Sequence, residues 1–250
     1  MKMILFFSDL DSTLIYSGYP EHTCVEYNEA KEVTYMTAQG INFLKDLLVR
    51  KDFVFIPCTL RSYEQTARID FLKNGNVPII ICDNGFSIYI NGELDKSWDI
   101  KMNSIIVKYP MSETYKVIDD FISATNIPIS QIKSNRDAFF TVIFKSITDA
   151  ECFSDKIIGK VDLSLYEIEK QGRKLYIIPN FLDKVQNSII KELAIELTVE
   201  TTFVCDNIKN RSAFVNQSTG KFDSDMLMKF LADYASMDPE MMPAEYVEYY

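Results

Sequence analysis

The chain has 250 residues, 47% of them apolar and 25% charged, enough for a full core in one large domain or two small ones. A formal net charge of −10 disfavours nucleic acid and anionic membrane as partners, because neither binds a globally acidic surface well. A single histidine, His22 in a polar stretch, argues against histidine catalysis and against a multi-histidine metal site.

Apolar Met3–Phe7 is the first predicted strand, and it delivers Asp9 and Asp11 at its carboxyl end. Side chains alternate along a strand, so strict extension puts both acids on one face. A bend after Asp9 lets them reach one site from different directions. Acids at the mouth of a parallel sheet do chemistry or hold a metal; the plain alternative is a polar Asp/Ser turn. Gly18 to Thr34 is long and polar, either a flap beside a site or a simple loop. Ile41, Leu44, Leu47 and Leu48 form a helical stripe after Thr37. Phe53–Ile56 is the next strand, and Ser62-Tyr-Glu-Gln65 is a capping box opening a helix to about Leu72. Ile79–Cys82 is a third buried strand. This alternation predicts a parallel sheet with right-handed crossovers.

The pattern then changes. Asn84-Gly85 and Asn91-Gly92 are turn signals around Phe86–Ile90. A helix follows Ser112, Ala138–Phe144 is strand-like, and Thr148-Asp-Ala-Glu151 is a second capping box. Leu163–Ile168 and Lys174–Ile178 are strand-like on either side of a Gln171-Gly172 turn. This middle region reads as an α+β unit. Parallel character resumes with a helix opened by Asp183-Lys-Val-Gln186, a strand over Thr201–Cys205 and a last helix around Leu227, Phe230 and Leu231. The acidic tail from Asp238 is expected to be loosely held. Five cysteines (24, 58, 82, 152, 205), with no Cys-x-x-Cys, fit reduced thiols in a cytoplasmic protein. The first apolar run meets Asp9 too soon for a signal peptide, and no run approaches the ~18 residues of a membrane span.

Asp9-Leu-Asp-Ser-Thr-Leu14 resembles the first motif, Asp-x-Asp-x-Thr, of the haloacid dehalogenase-like (HAD) phosphohydrolases. The resemblance implies an α/β fold: a doubly wound parallel-sheet core, here 1–85 and 174–250, with an inserted α+β cap over 86–173. It matches the branch that contains the Cof-type, sucrose-phosphate, trehalose-phosphate and mannosyl-phosphoglycerate phosphatases. It implies Asp9 as nucleophile and Asp11 as general acid/base. Branches that cleave carbon–halogen bonds lack an acid two residues on, so Asp11 favours phosphoryl transfer.

Cys58-Thr59-Leu60-Arg61 stands where the second motif belongs, which implies Thr59 as a phosphoryl ligand; helix N-capping is its alternative role. Many relatives carry Gly where this chain has Leu60. Arg61 is then a ligand for phosphate or a second substrate anion. Lys184 matches the third motif, a lysine whose place at a helix start is disfavoured unless an anion is near. Asp206 matches the metal-binding acid of the fourth motif, while Cys205, Lys209 and Asn210 replace its usual Gly, Asn and second Asp. The implied cofactor is Mg²⁺, held by Asp9, the backbone carbonyl of Asp11, Asp206 and, more weakly, Asn210. Arg136 and Arg173 flank predicted cap strands and are either anion ligands or solvated surface charges.

The expected function is Mg²⁺-dependent hydrolysis of a small phosphate ester, a sugar phosphate, by a monomer or weak homodimer. Three readings stand beside it. One is a phosphomutase. Another is a catalytically weak HAD-like domain that binds a phosphorylated ligand or protein. The third is a response-regulator receiver, which at about 120 residues is too small and lacks the insertion.

Overall fold

Leu5, Phe6 and Phe7 have no solvent exposure, because their strand β1 (Ile4–Ser8) is covered on both faces. In this computed structural model the described residues are 4–73, 77–182 and 201–205. β1 pairs in parallel with β4 (Phe53–Pro57) on one side and β12 (Thr201–Cys205) on the other. β5 (Ile79–Cys82) continues the sheet through a parallel bridge between Cys58 and Ile81. One face carries a core of Phe6, Phe53, Phe55, Leu44 and Leu47. Leu44 and Leu47 belong to α1 (Ala38–Leu48), whose N-cap Thr37 accepts a hydrogen bond from Gly40 N at 3.0 Å. The predicted strand–helix–strand core is therefore present over these elements.

The segment read as flap or loop is a β-hairpin, β2 (Thr23–Asn28) against β3 (Lys31–Met36). Ser62 and Gln65 form the expected capping box, but α2 covers only Tyr63–Thr66. The helix stops because Ile69 is drawn into an extended conformation, where it is buried and bridges Glu26 of β2. A single 3₁₀ turn follows at Asp70–Leu72. β6 (Ser87–Ile90) and β7 (Glu93–Leu94) meet at Asn91-Gly92, both with positive φ (50° and 84°), the geometry an Asn-Gly hairpin supplies.

Contacts divide the chain into two units, Met1–Asp95 with Lys184–Tyr250, and Lys96–Asp183. The expected divisions at 85/86 and 173/174 each cut a hairpin. β6 pairs with β5, which carries 86–95 with the first unit. β11 (Lys174–Pro179) pairs with β10 (Tyr166–Gln171) and with β9 (Phe139–Phe144), which carries it with the second.

That second unit is a four-stranded antiparallel sheet in the order β10-β11-β9-β8, where β8 is Ile129–Asn135. Its helices are α3 (Lys96–Ile106), α4 (Met111–Thr125) and α5 (Ile147–Ile157). Ala150, Phe153 and Ile157 recur at helical spacing and bury one face of α5 beside Phe140, Val142 and Phe144 of β9. α4 ends on Asn126 in the left-handed region (φ 52°), a common helix stop. The sequence pattern did not announce α3 or β8. α3 buries only Trp98 and Met102 while Ile100 is exposed, and β8 is a polar edge strand. The helices expected after Asp183 and around Leu227, Phe230 and Leu231, and the tail from Asp238, lie outside the described residues.

The cap of α5 differs from expectation. Ser146, not Thr148, is the N-cap: its Oγ accepts from Asp149 N at 3.0 Å and donates to Asp149 Oδ2 at 2.6 Å. Ser146→Ala should therefore cost about 1 kcal/mol, and exposed Thr148→Ala less than about 0.5 kcal/mol. Urea unfolding followed on Trp98, the single tryptophan and a member of this unit, measures both.

Candidate active site

The parallel register sets the site. Ser8 is level with Pro57 of β4 and with Cys205, the last residue of β12, so residues 9 and 58 follow at one edge of the sheet. Cys58 N donates to the Ser8 carbonyl at 2.8 Å, which fixes the edge where β1 and β4 diverge. Asp9 is 2% exposed. Its Oδ1 accepts from Leu10 N at 2.8 Å, and its carbonyl accepts from Ser8 Oγ at 2.8 Å. The chain then turns tightly. The Leu10 carbonyl accepts from the amides of Thr13, Leu14 and Ile15, with Ser12 at φ 60°. Leu10, Leu14 and Ile15 are fully buried and anchor this turn. The expected bend after Asp9 is thus built from backbone hydrogen bonds and three apolar side chains. It leaves Asp9 buried and the Asp11 side chain 32% exposed.

At the end of β4, Thr59 is 1% exposed, and its amide donates to the Ile81 carbonyl at 2.9 Å. Its Oγ1 accepts from Arg61 N at 3.1 Å. Helix capping belongs to Ser62 instead, so Thr59 serves the turn at the strand end. Leu60 does not take a positive φ. The segment after β5 clamps this loop from the other side. Asn84 N donates to the Thr59 carbonyl at 3.0 Å and Asp83 N to the Arg61 carbonyl at 2.9 Å. Asp83 and Asn84 hold positive φ (51° and 57°), and Ser87 Oγ donates to Asp83 Oδ2 at 2.9 Å.

Arg61 was expected to meet a substrate anion. Its guanidinium is engaged by two carboxylates of the protein. Nε and Nη2 donate to Asp11 Oδ2 and Oδ1, both at 2.7 Å, a bidentate pair. Nη1 donates to Glu26 Oε2 at 2.8 Å. Burial pulls the Arg61 pKa down, but hydrogen bonds to Asp11 and the charges of Asp11 and Glu26 outweigh it, and it stands above the ordinary arginine value. Glu26 has no solvent exposure. It also accepts from Arg68 Nε (3.1 Å) and Nη2 (2.9 Å) and from Thr34 Oγ1 (3.0 Å). Sequence reasoning missed Glu26 and Arg68. Glu26 lies at a β-bulge, marked by register shifts on both sides of it, and the bulge buries Val25 and Glu26 in succession. Alternation carries no sign of that.

Lys184, Asp206 and Asn210 lie outside the described residues. Arg136 and Arg173 both belong to the second unit. Arg136 Nη2 donates to Asp99 Oδ1 at 2.9 Å, and Arg173 is exposed in the β10–β11 turn. Among the described residues no group of three or more His, Cys, Asp or Glu side chains could hold a metal. Among the described residues the donors at the β1 edge are oxygens, the Asp9 carboxylate and strand-end carbonyls. Hard oxygen donors suit Mg²⁺. No described helix is long and apolar enough to cross a membrane.

No family model matches the chain, and no curated protein matches it. Solved structures do. The Candida albicans trehalose-6-phosphate phosphatase C-terminal domain is 17% identical at TM-score 0.54, over 78% of this chain. The alignment takes in 62% of that Candida chain, under two thirds of its length. A C-terminally truncated Plasmodium falciparum IMP-nucleotidase is 11% identical at TM-score 0.53, over 92% of this chain and 70% of that one. A structure from Eubacterium rectale is 12% identical at TM-score 0.51, over 90% and 91%. Identities this low carry the fold alone, and the fold is HAD-like: an α/β core with an inserted α+β unit.

Removing the buried acid leaves two guanidinium groups short of a partner. Glu26→Ala should lower stability by about 3 kcal/mol, the lower end for breaking a buried pair because Arg68 is partly hydrated. Glu32→Ala, on the exposed side of the same hairpin, should cost less than about 1 kcal/mol. Scanning calorimetry of both variants checks the contrast.

Proposed function

We propose that this chain is a Mg²⁺-dependent phosphatase of a small phosphate monoester, working through an aspartyl-phosphate on Asp9. The observation that carries the reading is the pair of strand-end carboxylates in unlike settings: Asp9 buried and held by Leu10 N, Asp11 partly exposed one turn away. One carboxylate attacks phosphorus and the other handles protons. An Asp9 oxygen forms the new bond to phosphorus as the ester P–O bond breaks, and Asp11 gives a proton to the departing alkoxide. Asp11 then takes a proton from water as the water oxygen attacks the aspartyl-phosphate, releasing inorganic phosphate and Asp9. Thr59, held by the Arg61 and Asn84 amides, lies one strand over and hydrogen-bonds a phosphoryl oxygen. Lys184 supplies a second contact to those oxygens. Asp9, the Asp11 carbonyl, Asp206 and Asn210 would hold Mg²⁺, which would offset the phosphoryl charge that repels an incoming carboxylate.

Likeness to a trehalose-6-phosphate phosphatase supports a sugar phosphate as substrate, and likeness to an IMP-nucleotidase supports a nucleoside monophosphate. The sugar phosphate is the class we favour, with Arg136 and Arg173 of the second unit as candidate ligands for its leaving group. A binding role without turnover is the second reading. Its support is the altered fourth motif, with Cys205, Lys209 and Asn210.

The test is hydrolysis of an aryl phosphate and of panels of sugar phosphates and nucleoside monophosphates, with and without Mg²⁺. Hydrolysis should require Mg²⁺, and Asp9→Asn should lower kcat by at least about 10³, because an amide cannot form the acyl-phosphate. Wild-type turnover by Asp9→Asn removes Asp9 as nucleophile. Ligand-induced thermal stabilisation without hydrolysis by the wild type favours the binding reading.

A further inference from the structure

We infer that Glu26, on the β2–β3 hairpin, is a positioning residue for catalysis: it holds Arg61 so that the Arg61 fork sets the orientation of Asp11. The inference rests on the phosphatase reading above. The chain of contacts is short and continuous. Glu26 Oε2 meets Arg61 Nη1 at 2.8 Å, and the other two nitrogens of the same guanidinium take both oxygens of Asp11 at 2.7 Å. A guanidinium is planar, so fixing Nη1 fixes the plane in which Nε and Nη2 lie. A carboxylate bound at both oxygens lies in that plane too. Asp11 sits one third exposed at a turn and has rotational freedom to lose, while Glu26 has none.

The fold commits structure to holding Glu26 in place. Its backbone bridges Ile69, and the bulge turns its side chain inward beside buried Val25. Arg68 occupies Oε1 from below α2, and Thr34 of the paired strand donates to Oε2. A surface hairpin that only needed to fold has no use for a bulge that buries an acid. The hairpin is thereby tied to the proton-handling carboxylate.

A role in positioning makes a prediction that a role in stability does not. Asp11 matters most when the leaving group is a poor one, since an activated aryl oxide departs with little protonation. Loss of Glu26 should therefore penalise alkyl phosphates more than aryl phosphates. It should act on turnover more than on substrate binding.

The test has a structural arm and a kinetic arm, both on the whole chain. In ¹⁵N-labelled protein the Arg61 Nε–H resonance, identified by its loss in Arg61→Lys, should exchange slowly in the wild type. In Glu26→Gln, a near-isosteric change, it should shift and exchange faster. In Glu26→Gln, kcat for an alkyl phosphate should fall by about tenfold or more, kcat for an aryl phosphate by less, and both KM values should stay within about twofold. Arg61→Lys keeps the charge and loses the fork, and should reproduce that split. Glu32→Ala, on the exposed side of the same hairpin and outside this network, should leave the alkyl-to-aryl ratio at the wild-type value. An unmoved Arg61 signal in Glu26→Gln overturns the inference. So does a moved signal with equal losses on both esters. Absence of hydrolysis by the wild type instead overturns the phosphatase reading and leaves Glu26 a structural partner of Arg61 only.

Discussion

Glu26 is a carboxylate withdrawn from water, and much of the first unit is arranged to answer its charge. Desolvating an acid costs several kcal/mol unless counter-charge and hydrogen bonds replace the lost water. Two guanidinium groups and a hydroxyl supply them here. The consequences spread along the chain. β2 carries a bulge so that the acid points inward. The helix after Ser62 ends at Thr66, so that Ile69 can pair with the Glu26 backbone and Arg68 can face its side chain. Arg61 is drawn to the hairpin at one nitrogen and to Asp11 at the other two. A hairpin, a short helix and two strand-end loops are joined through one buried charge.

What was legible in the sequence follows from periodicity and local chemistry. The apolar runs at β1, β4 and β5, the stripe of α1 and the capping box at Ser62 are patterns within a few residues, and the structure contains them all. Asp9 and Asp11 were legible as strand-end acids because the apolar run before them is unambiguous. What escaped depended on distant parts of the chain. α2 stops early for the sake of a bridge to Glu26, 43 positions upstream of Ile69 in the numbering of the chain. α3 buries two side chains and leaves apolar Ile100 in solvent, so it lacks the stripe that marks a helix. On α5 a serine two positions ahead of the expected threonine does the capping, since both Ser146 and Thr148 can head such a box and only the path of the chain decides. The partner of Arg61 was invisible for the same reason: a guanidinium in a strand-end motif reads as an anion receptor until the anion is found to be the protein's own.

The loop after β5 shows where local strain is placed. Asp83 and Asn84 both hold left-handed backbone angles, at roughly 1 kcal/mol or more each for a non-glycine residue. Strain of this kind persists only where surrounding contacts over-determine it. Here the amides of these two residues end on the carbonyls of Arg61 and Thr59. The strained residues thus fix the backbone of Thr59 and of Arg61, whose side chain pairs with Asp11. The Ser87 hydroxyl on Asp83 holds the arrangement from behind. The turn read from Asn84-Gly85 exists, but it starts one residue earlier and serves β4 as much as β5.

Charge balance then bears on how an anionic substrate is accepted. With Asp11 ionised, Asp11 and Glu26 contribute two negative charges and Arg61 and Arg68 two positive ones, so the network is neutral as a set; it carries one positive charge when Asp11 holds the proton it gives to the leaving alkoxide. It therefore offers a phosphate dianion at most one unit of attraction, in a chain whose formal charge is already −10. Asp9 adds repulsion of about 4 kcal/mol for each pair of unit charges brought to about 4 Å at an effective dielectric constant of about 20. On the phosphatase reading, that repulsion is met by groups outside the network. Hydrogen bonding from Thr59 is too weak to meet it alone. The burden falls on Lys184 and Mg²⁺, and it falls more heavily on Mg²⁺ because Arg61 is committed to Asp11. On the same reading, the neutral amide of Asn210 would leave Mg²⁺ a larger residual charge to direct at phosphate, at the expense of its own affinity. A phosphatase built this way trades tight metal binding for stronger attraction to the ester whenever the metal is present.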